Sequence, residues 1–312
     1  MTQFAFVFPG QGSQTVGMLD AWGDHAVVRD TLAEASQALG EDLGALIHAG
    51  PKEQLDLTTN TQPVMLAAAV ACYRAWMAET GLAPAVVAGH SLGEYSALVA
   101  AGSLTLSDAL PLVRFRAQAM QDAVPVGAGA MAAILGLDAE VVRATCAEIE
   151  AAVGQPVSAA NFNDPKQTVI AGAKAAVDQA CEALKGRGAK RALPLAVSAP
   201  FHCALMKPAA EKLRERLASV TIRTPQIPLI NNIDVAVHGE PEAIREALYR
   251  QAFGPVRWVE IVQAMRARGV THVIECGPGK VLAGLAKRID GELAVGNVLD
   301  PASLAEAKGM LA

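Results

Sequence analysis

Gly89-His90-Ser91-Leu92-Gly93 is the stretch of this 312-residue chain whose residue types and spacing suit covalent chemistry. A short apolar run, Val86-Val87-Ala88, leads into it, and beyond it the apolar spacing changes to that of a helix. In a G-x-S-x-G corner between strand and helix, the flanking glycines permit a strained turn that lifts the serine hydroxyl clear of the sheet. The next backbone N–H is then available to a developing oxyanion. Ser91 is the candidate nucleophile, with the N–H of Leu92 beside it.

A serine hydroxyl needs a base to attack near neutral pH, and histidine is the usual one. Six histidines are present. His90 sits inside the corner, where its neighbouring position turns it away from the Ser91 hydroxyl. His25 and His48 lie in polar or loop settings, His238 in a turn before Gly239 and His272 within an expected strand. His202 follows Pro200-Phe201 in a loop directly after a strand, which makes it the base candidate. Two arginines, Arg114 and Arg116, share an expected helix over 106–124 and compete as readers of an anionic substrate group.

The elements that must hold these residues alternate between strand and helix. Residues 3–8 read as a buried strand, and Pro9-Gly10-Gln11-Gly12-Ser13-Gln14 as a glycine-rich turn feeding a helix from about Thr15. The turn imitates a dinucleotide fingerprint but has Thr15 in place of the third glycine and no acidic strand end about 20 residues on. Helices are expected over 26–46 and 64–79, the second preceded by a polar loop at 58–63. Around Val126-Gly127-Ala128-Gly129 the texture changes. Strand 131–137, helix 138–152 capped by Asp138, strands 157–162 and 168–171, helix 174–185 and strand 189–195 follow in the order of a ferredoxin-like β-α-β-β-α-β unit. Beyond it come helix 208–217, strand 227–231, helices 243–252 and 259–268, strand 270–275 and helix 281–288. The expected architecture is a large α/β-hydrolase-like domain with a parallel sheet, residues 1–126 and 197–312, carrying a small ferredoxin-like domain inserted at 127–196.

Composition narrows the function class. Apolar residues make up 52% and charged residues 18%, a globular balance, and the net charge of −5 argues against nucleic acid as the principal partner. The start, from Met1 to Phe8, lacks the basic region and cleavage site of a signal peptide. The longest apolar run, residues 64–73, falls well short of the ~20 residues a bilayer requires, so no membrane association is expected. Five scattered cysteines without a C-x-x-C suggest neither disulfides nor a zinc cluster, and a reducing cytoplasm is the expected compartment.

Six motifs in order spell a family: F-P-G-Q-G-S-Q at 8–14, G-H-S-L-G-E at 89–94, the arginine of R-x-x-x-M-Q at Arg116, A-N-F-N-D-P at 160–165, P-F-H-C around His202 and E-C-G-P-G at 275–279. Together they resemble the malonyl-CoA:acyl carrier protein transacylases of bacterial fatty-acid synthesis and the related acyltransferase domains of polyketide synthases, over nearly the whole chain. The resemblance implies that Ser91 attacks a malonyl thioester with His202 as base. It also implies that the N–H groups of Gln11 and Leu92 form the oxyanion hole and that a backbone carbonyl near Gln251 orients the histidine. Counting back from Met120-Gln121 selects Arg116 over Arg114 for the malonyl carboxylate, with Gln251 grouped beside it at the substrate. A departure from the pattern is Ala117, where the family often has glycine and where a methyl group could crowd the pocket floor. Leu92 and Phe201 match the pattern associated with malonyl rather than methylmalonyl selection. No cofactor is implied. The partners are malonyl-CoA and an acyl carrier protein with its phosphopantetheine arm, for which Lys185, Arg187, Lys190 and Arg191 form the expected basic docking patch.

Other readings are a hydrolase with a late acid and histidine, into which Asp234 and His272 can be forced, and a carrier-binding scaffold without chemistry. Arg116 has no purpose in either. Replacing it with alanine is expected to lower malonyl transfer roughly a hundredfold more than acetyl transfer, the scale of losing about 3 kcal/mol of charge-assisted hydrogen bonding. Initial rates with the two thioesters measure this, and equal losses would detach Arg116 from the carboxylate.

Overall fold

Phenylalanines alternate with small residues in β1 (Phe4–Phe8), and this period of two divides the interior of the larger part of the molecule. In the computed structural model, which describes residues 3–312, Phe4, Phe6 and Phe8 face the long helix Thr58–Thr80. Ala5 and Val7 face the helices Trp258–Ala267 and Val281–Ile289 on the other side. Phe6 meets Trp76 and Tyr73 edge-on at centroid distances of 5.4 and 6.0 Å. The reading of the N-terminus at Met1 and Thr2 lies outside the described residues.

The parallel sheet has the order β2-β1-β7-β8, with β2 at Val86–Gly89, β7 at His272–Cys276 and β8 at Ala294–Val298. A second, antiparallel sheet has the order β4-β5-β3-β6: β3 is Gly129–Leu135, β4 Val157–Asp164, β5 Gln167–Ala173 and β6 Arg191–Pro194. Helices Ala139–Val153 and Lys174–Gly186 cover it through an apolar cluster of their own that includes Ile134, Val142, Ile170, Val177 and Leu184. β4 reaches across to the larger part, where Phe162 donates to Val256 and Val256 to Ala160, and Asp164 pairs with Arg288 at 2.8 Å.

Several elements depart from the periodicity reading, each for a local reason. No helix starts at Thr15, because Gly17 (φ 76°) and Gly23 (φ 52°) are left-handed; turns and a short 3₁₀ segment, Asp20–Trp22, occupy that stretch. The expected helix 26–46 is two, Ala26–Leu39 and Leu43–Ala49, divided at left-handed Gly40. The polar stretch 58–63 is not a loop but the opening of the helix Thr58–Thr80, where Thr61 Oγ1 donates to the carbonyls of Leu55 and Leu57 ahead of Pro63. Asp138 precedes its helix without capping it, its carboxylate being taken by Lys166. Strand 227–231 shrinks to single bridges at Leu229 and Ile230, since Pro228 has no N–H to donate. β8 and the last helix, Pro301–Met310, carry too weak a period to be read.

The neighbouring strands β1, β2 and β7 each end in a glycine-bearing corner, and the three corners open on one edge of the sheet. Contact there is backbone to backbone. A Cβ on Gly93 would lie 2.0 Å from the Phe8 carbonyl oxygen, and one on Gly89 would lie 1.9 Å from the Gly93 carbonyl. Gly93→Ala is therefore expected to destabilise the fold by about 1–3 kcal/mol or more, read as a lower denaturation midpoint, with Gly291→Ala, in open space, as the control.

Candidate active site

Ser91 stands at the carboxyl edge of β2 with φ 52°, a left-handed conformation that costs a non-glycine residue of order 1–3 kcal/mol. Asn232 holds it there: its Oδ1 accepts from the Ser91 N–H at 2.7 Å and its Nδ2 donates to the Gly89 carbonyl at 2.6 Å. The helix Gly93–Ala100 starts at once, so the hydroxyl projects into a cavity of about 580 Å³ whose walls include Gln11, Leu92, Arg116, Asn163, Phe201 and His202. The two β-bulge irregularities of β4, around Asn161 and Asn163, bring both asparagines to this cavity, and Asn163 Oδ1 meets His90 Nε2 at 2.8 Å.

His202 comes from the far side, also left-handed at φ 61°, and its Nε2 lies 2.6 Å from Ser91 Oγ. Its Nδ1 faces the carbonyls of Gln251 and Gly254 at 2.9 and 3.2 Å. Carbonyls only accept, so Nδ1 carries the proton and Nε2 presents its lone pair to the serine hydroxyl. No acidic side chain is needed to choose this tautomer. Asp234 is engaged by Arg250 and His238, and His272 by Thr271, so the late acid and histidine do not assemble around Ser91.

Arg116 is 2% exposed, and its bonded partners are neutral. It donates to Gln62 Oε1 at 2.7 Å, Gln251 Oε1 at 3.0 Å and Ser91 Oγ at 3.2 Å, and lies 5.5 Å from the Tyr95 ring centre. A buried guanidinium among neutral amides, within reach of the serine and opening on the cavity, is ready to take a ligand carboxylate. Arg114 points to the outer face and forks onto Glu41 at 3.0 and 2.6 Å. Ala117 is buried and does not line the cavity.

Gln251 stands one layer behind the cavity wall and is fully buried. Its amide is spent on Arg116, on the Ser91 carbonyl and on Glu94, so it braces the site from behind and is not placed to touch a substrate. Of the expected basic patch, Lys185 is paired with Glu182 and Arg187 with Glu148; the Lys190 stem packs over Gly136, and Arg191 is exposed. Gln62, Asn232 and Glu94 escape sequence reasoning. Glu94 lies inside a quoted motif, but nothing in one dimension assigns it a partner.

Burial, and then the Arg116 charge, push the His202 pKa from 6.5 down to about 3. Burial pushes Glu94 up to about 7. An imidazole that stays neutral at physiological pH, bonded to a serine on a parallel α/β sheet, defines the class of the molecule: an α/β enzyme that works through an acyl-serine, by transfer or by hydrolysis.

The chain matches the acyl transferase domain family over residues 5–294. It is 56% identical over 308 residues to the malonyl CoA-acyl carrier protein transacylase of Escherichia coli K12, covering 98% of this chain and 99% of that one. It superposes on the crystal structure of the acyl-carrier-protein S-malonyltransferase of Burkholderia pseudomallei 1710b with TM-score 0.96 at 67% identity, covering 98% and 99% of the two chains. A malonyl-transacylase solved in complex with its type II PKS acyl-carrier protein matches with TM-score 0.96 at 53% identity, over 98% of this chain and 99% of that one. The chain belongs to the acyl transferase family, among the malonyl CoA-acyl carrier protein transacylases.

The unfolded chain protonates His202 near pH 6.5 and the folded chain near 3, so this residue costs stability progressively as pH falls through that window. In a ring-proton NMR titration His202 is expected to stay neutral from pH 8 to about 4, while His48, bonded to Asp20, titrates above its ordinary value. A His202 midpoint at 6–7 would contradict the burial account.

Proposed function

We propose that the chain transfers the malonyl group of malonyl-CoA to the phosphopantetheine thiol of an acyl carrier protein, in a ping-pong reaction through a malonyl-Ser91 ester. The observation that carries the substrate class is the buried Arg116 guanidinium, held by neutral partners 3.2 Å from Ser91 Oγ. The names of the relatives support the same reading. The malonyl carboxylate docks on Arg116 and sets the thioester carbonyl over Ser91. As Oγ attacks the carbonyl carbon, its proton passes to His202 Nε2, and the oxyanion takes N–H bonds from Gln11 and Leu92. The C–S bond then breaks, and the departing thiolate leaves with the proton held on His202. In the second half the carrier thiol gives its proton to His202 and attacks the ester, and Ser91 departs with that proton. These steps balance without a metal or cofactor.

The site lies where the two sheets meet. The order β4-β5-β3-β6 and its two covering helices support reading residues 127–196 as a ferredoxin-like domain inserted between the two parts, 1–126 and 197–312, of the larger one. The carrier docks at the cavity mouth; of the expected patch, Lys190 and Arg191 are, among the described residues, the cations not paired with a carboxylate, and they stand at the start of β6 beside Leu135 and Gly136, away from the residues that line the cavity. The reaction supplies fatty-acid elongation in the cytoplasm. Among the described residues no helix is long and apolar enough to cross a membrane.

The test is a two-stage label experiment: radiolabelled malonyl-CoA is added, the acyl-enzyme is trapped, and carrier protein or buffer alone follows. Label is expected on Ser91, lost in Ser91→Ala, and discharged by holo-carrier at least about 10²-fold faster than by water. Discharge to water at the carrier rate would make the protein a hydrolase; no label would leave a binding module.

A further inference from the structure

Glu94 is a carboxyl group that the reaction above leaves without a task. It lies in the first turn of the helix Gly93–Ala100 and is 2% exposed. An ionisable group so deep is costly unless its oxygens are used. One oxygen, Oε2, accepts two hydrogen bonds, from the Asn232 backbone N–H at 2.9 Å and from Gln251 Nε2 at 2.9 Å. Both donors continue to the reacting atoms. Asn232 takes the Ser91 N–H, while Gln251 takes Arg116 on its side-chain oxygen, His202 on its carbonyl and the Ser91 carbonyl on its amide nitrogen. Ser91, Arg116 and His202, which arrive from separate parts of the sequence, are thus each bonded to one of the two residues that this single buried oxygen holds.

We propose that Glu94 is a positioning residue: its Oε2 anchors Asn232 and Gln251, and through them sets the Ser91 main chain and the Arg116 guanidinium, so that it tunes the preference for acyl groups bearing a free carboxylate. The proposal rests on the malonyl-transfer reading for its substrate and on the hydrogen-bond chain for its geometry. The anchor works through its acceptor oxygen, a role that an amide carbonyl in the same place can fill toward the same two donors. Arg116 is the more exposed to error, because Gln251 holds one of its two terminal nitrogens, whereas Ser91 keeps the glycine contacts of its corner.

The experiment compares Glu94→Ala and Glu94→Gln in the full chain, each confirmed folded by near-UV circular dichroism. Single-turnover acylation of Ser91 is measured with malonyl-CoA and with acetyl-CoA. Glu94→Ala is expected to slow malonyl acylation about a hundredfold, the cost of an ångström-scale misplacement, and acetyl acylation only about tenfold. Glu94→Gln is expected to recover at least about tenfold of the malonyl loss. A merely structural role would lower both acyl groups together. Should Glu94→Ala not fold, Glu94→Asp takes its place, keeping the charge while withdrawing the oxygens by one methylene, with the same expected change in ratio. An unchanged malonyl-to-acetyl ratio in a folded Ala or Asp variant overturns the proposal, as does Glu94→Gln behaving like Glu94→Ala. The His202 ring-proton resonances, which sense the Gln251 carbonyl without substrate, are expected to move in Glu94→Asp and to stay near their places in Glu94→Gln; unmoved resonances in Glu94→Asp overturn the anchoring. If the wild-type protein takes no malonyl group, the functional reading falls, while the resonances still decide the anchoring.

Discussion

The contact between the start of the helix Gly93–Ala100 and the end of β1 sets the position of everything reactive in this protein. The Phe8 carbonyl oxygen occupies the space that any side chain at 93 would need, and Gly89 meets the Gly93 carbonyl in the same way. With no Cβ at either place, helix and strands approach closely enough to turn the chain within a few residues, and the strain collects at Ser91. Such a corner does not stay closed through local preference. It is held by a parallel sheet buried on both faces, and by Asn232, a residue from another segment that takes up the Ser91 N–H.

Around that corner the electrostatics are arranged by exclusion of water. Arg116 keeps its charge among the amide oxygens of Gln62 and Gln251, and that same charge adds to burial in keeping His202 unprotonated. One cation therefore serves two ends: it awaits an anionic substrate group, and it keeps the imidazole in the form that can accept the serine proton. The backbone carbonyls of Gln251 and Gly254 do the orienting that an aspartate does in other serine enzymes, without bringing a negative charge that would raise the imidazole pKa and weaken the readiness of Arg116 for an anion.

The strands and helices legible in the sequence were those with a strong period and glycine or proline at the ends, such as β2 with its following helix, or the elements of the second sheet. Those misread had their local signal overruled. Thr58 to Gln62 is polar and precedes a proline, but burial of Thr58, Thr61 and Gln62 makes it the first turns of a helix. Residues 15–19 look ready for a helix, but left-handed Gly17 forbids one. The motifs point to Gln251 both as a carbonyl orienting His202, which it is, and as a group at the substrate, where burial behind Arg116 instead makes its side chain a support from one layer back.

The sequence by itself determined the reactive residue types, the corner that presents Ser91 and the alternation of strand and helix that makes the sheet parallel, because these depend on neighbours a few residues apart. Tertiary structure alone decided the approach of His202 Nε2 to Ser91, the neutral surroundings of Arg116 and the use of Glu94 and Asn232. Each of those depends on a partner dozens of residues away or on the removal of water, and neither is written in local order.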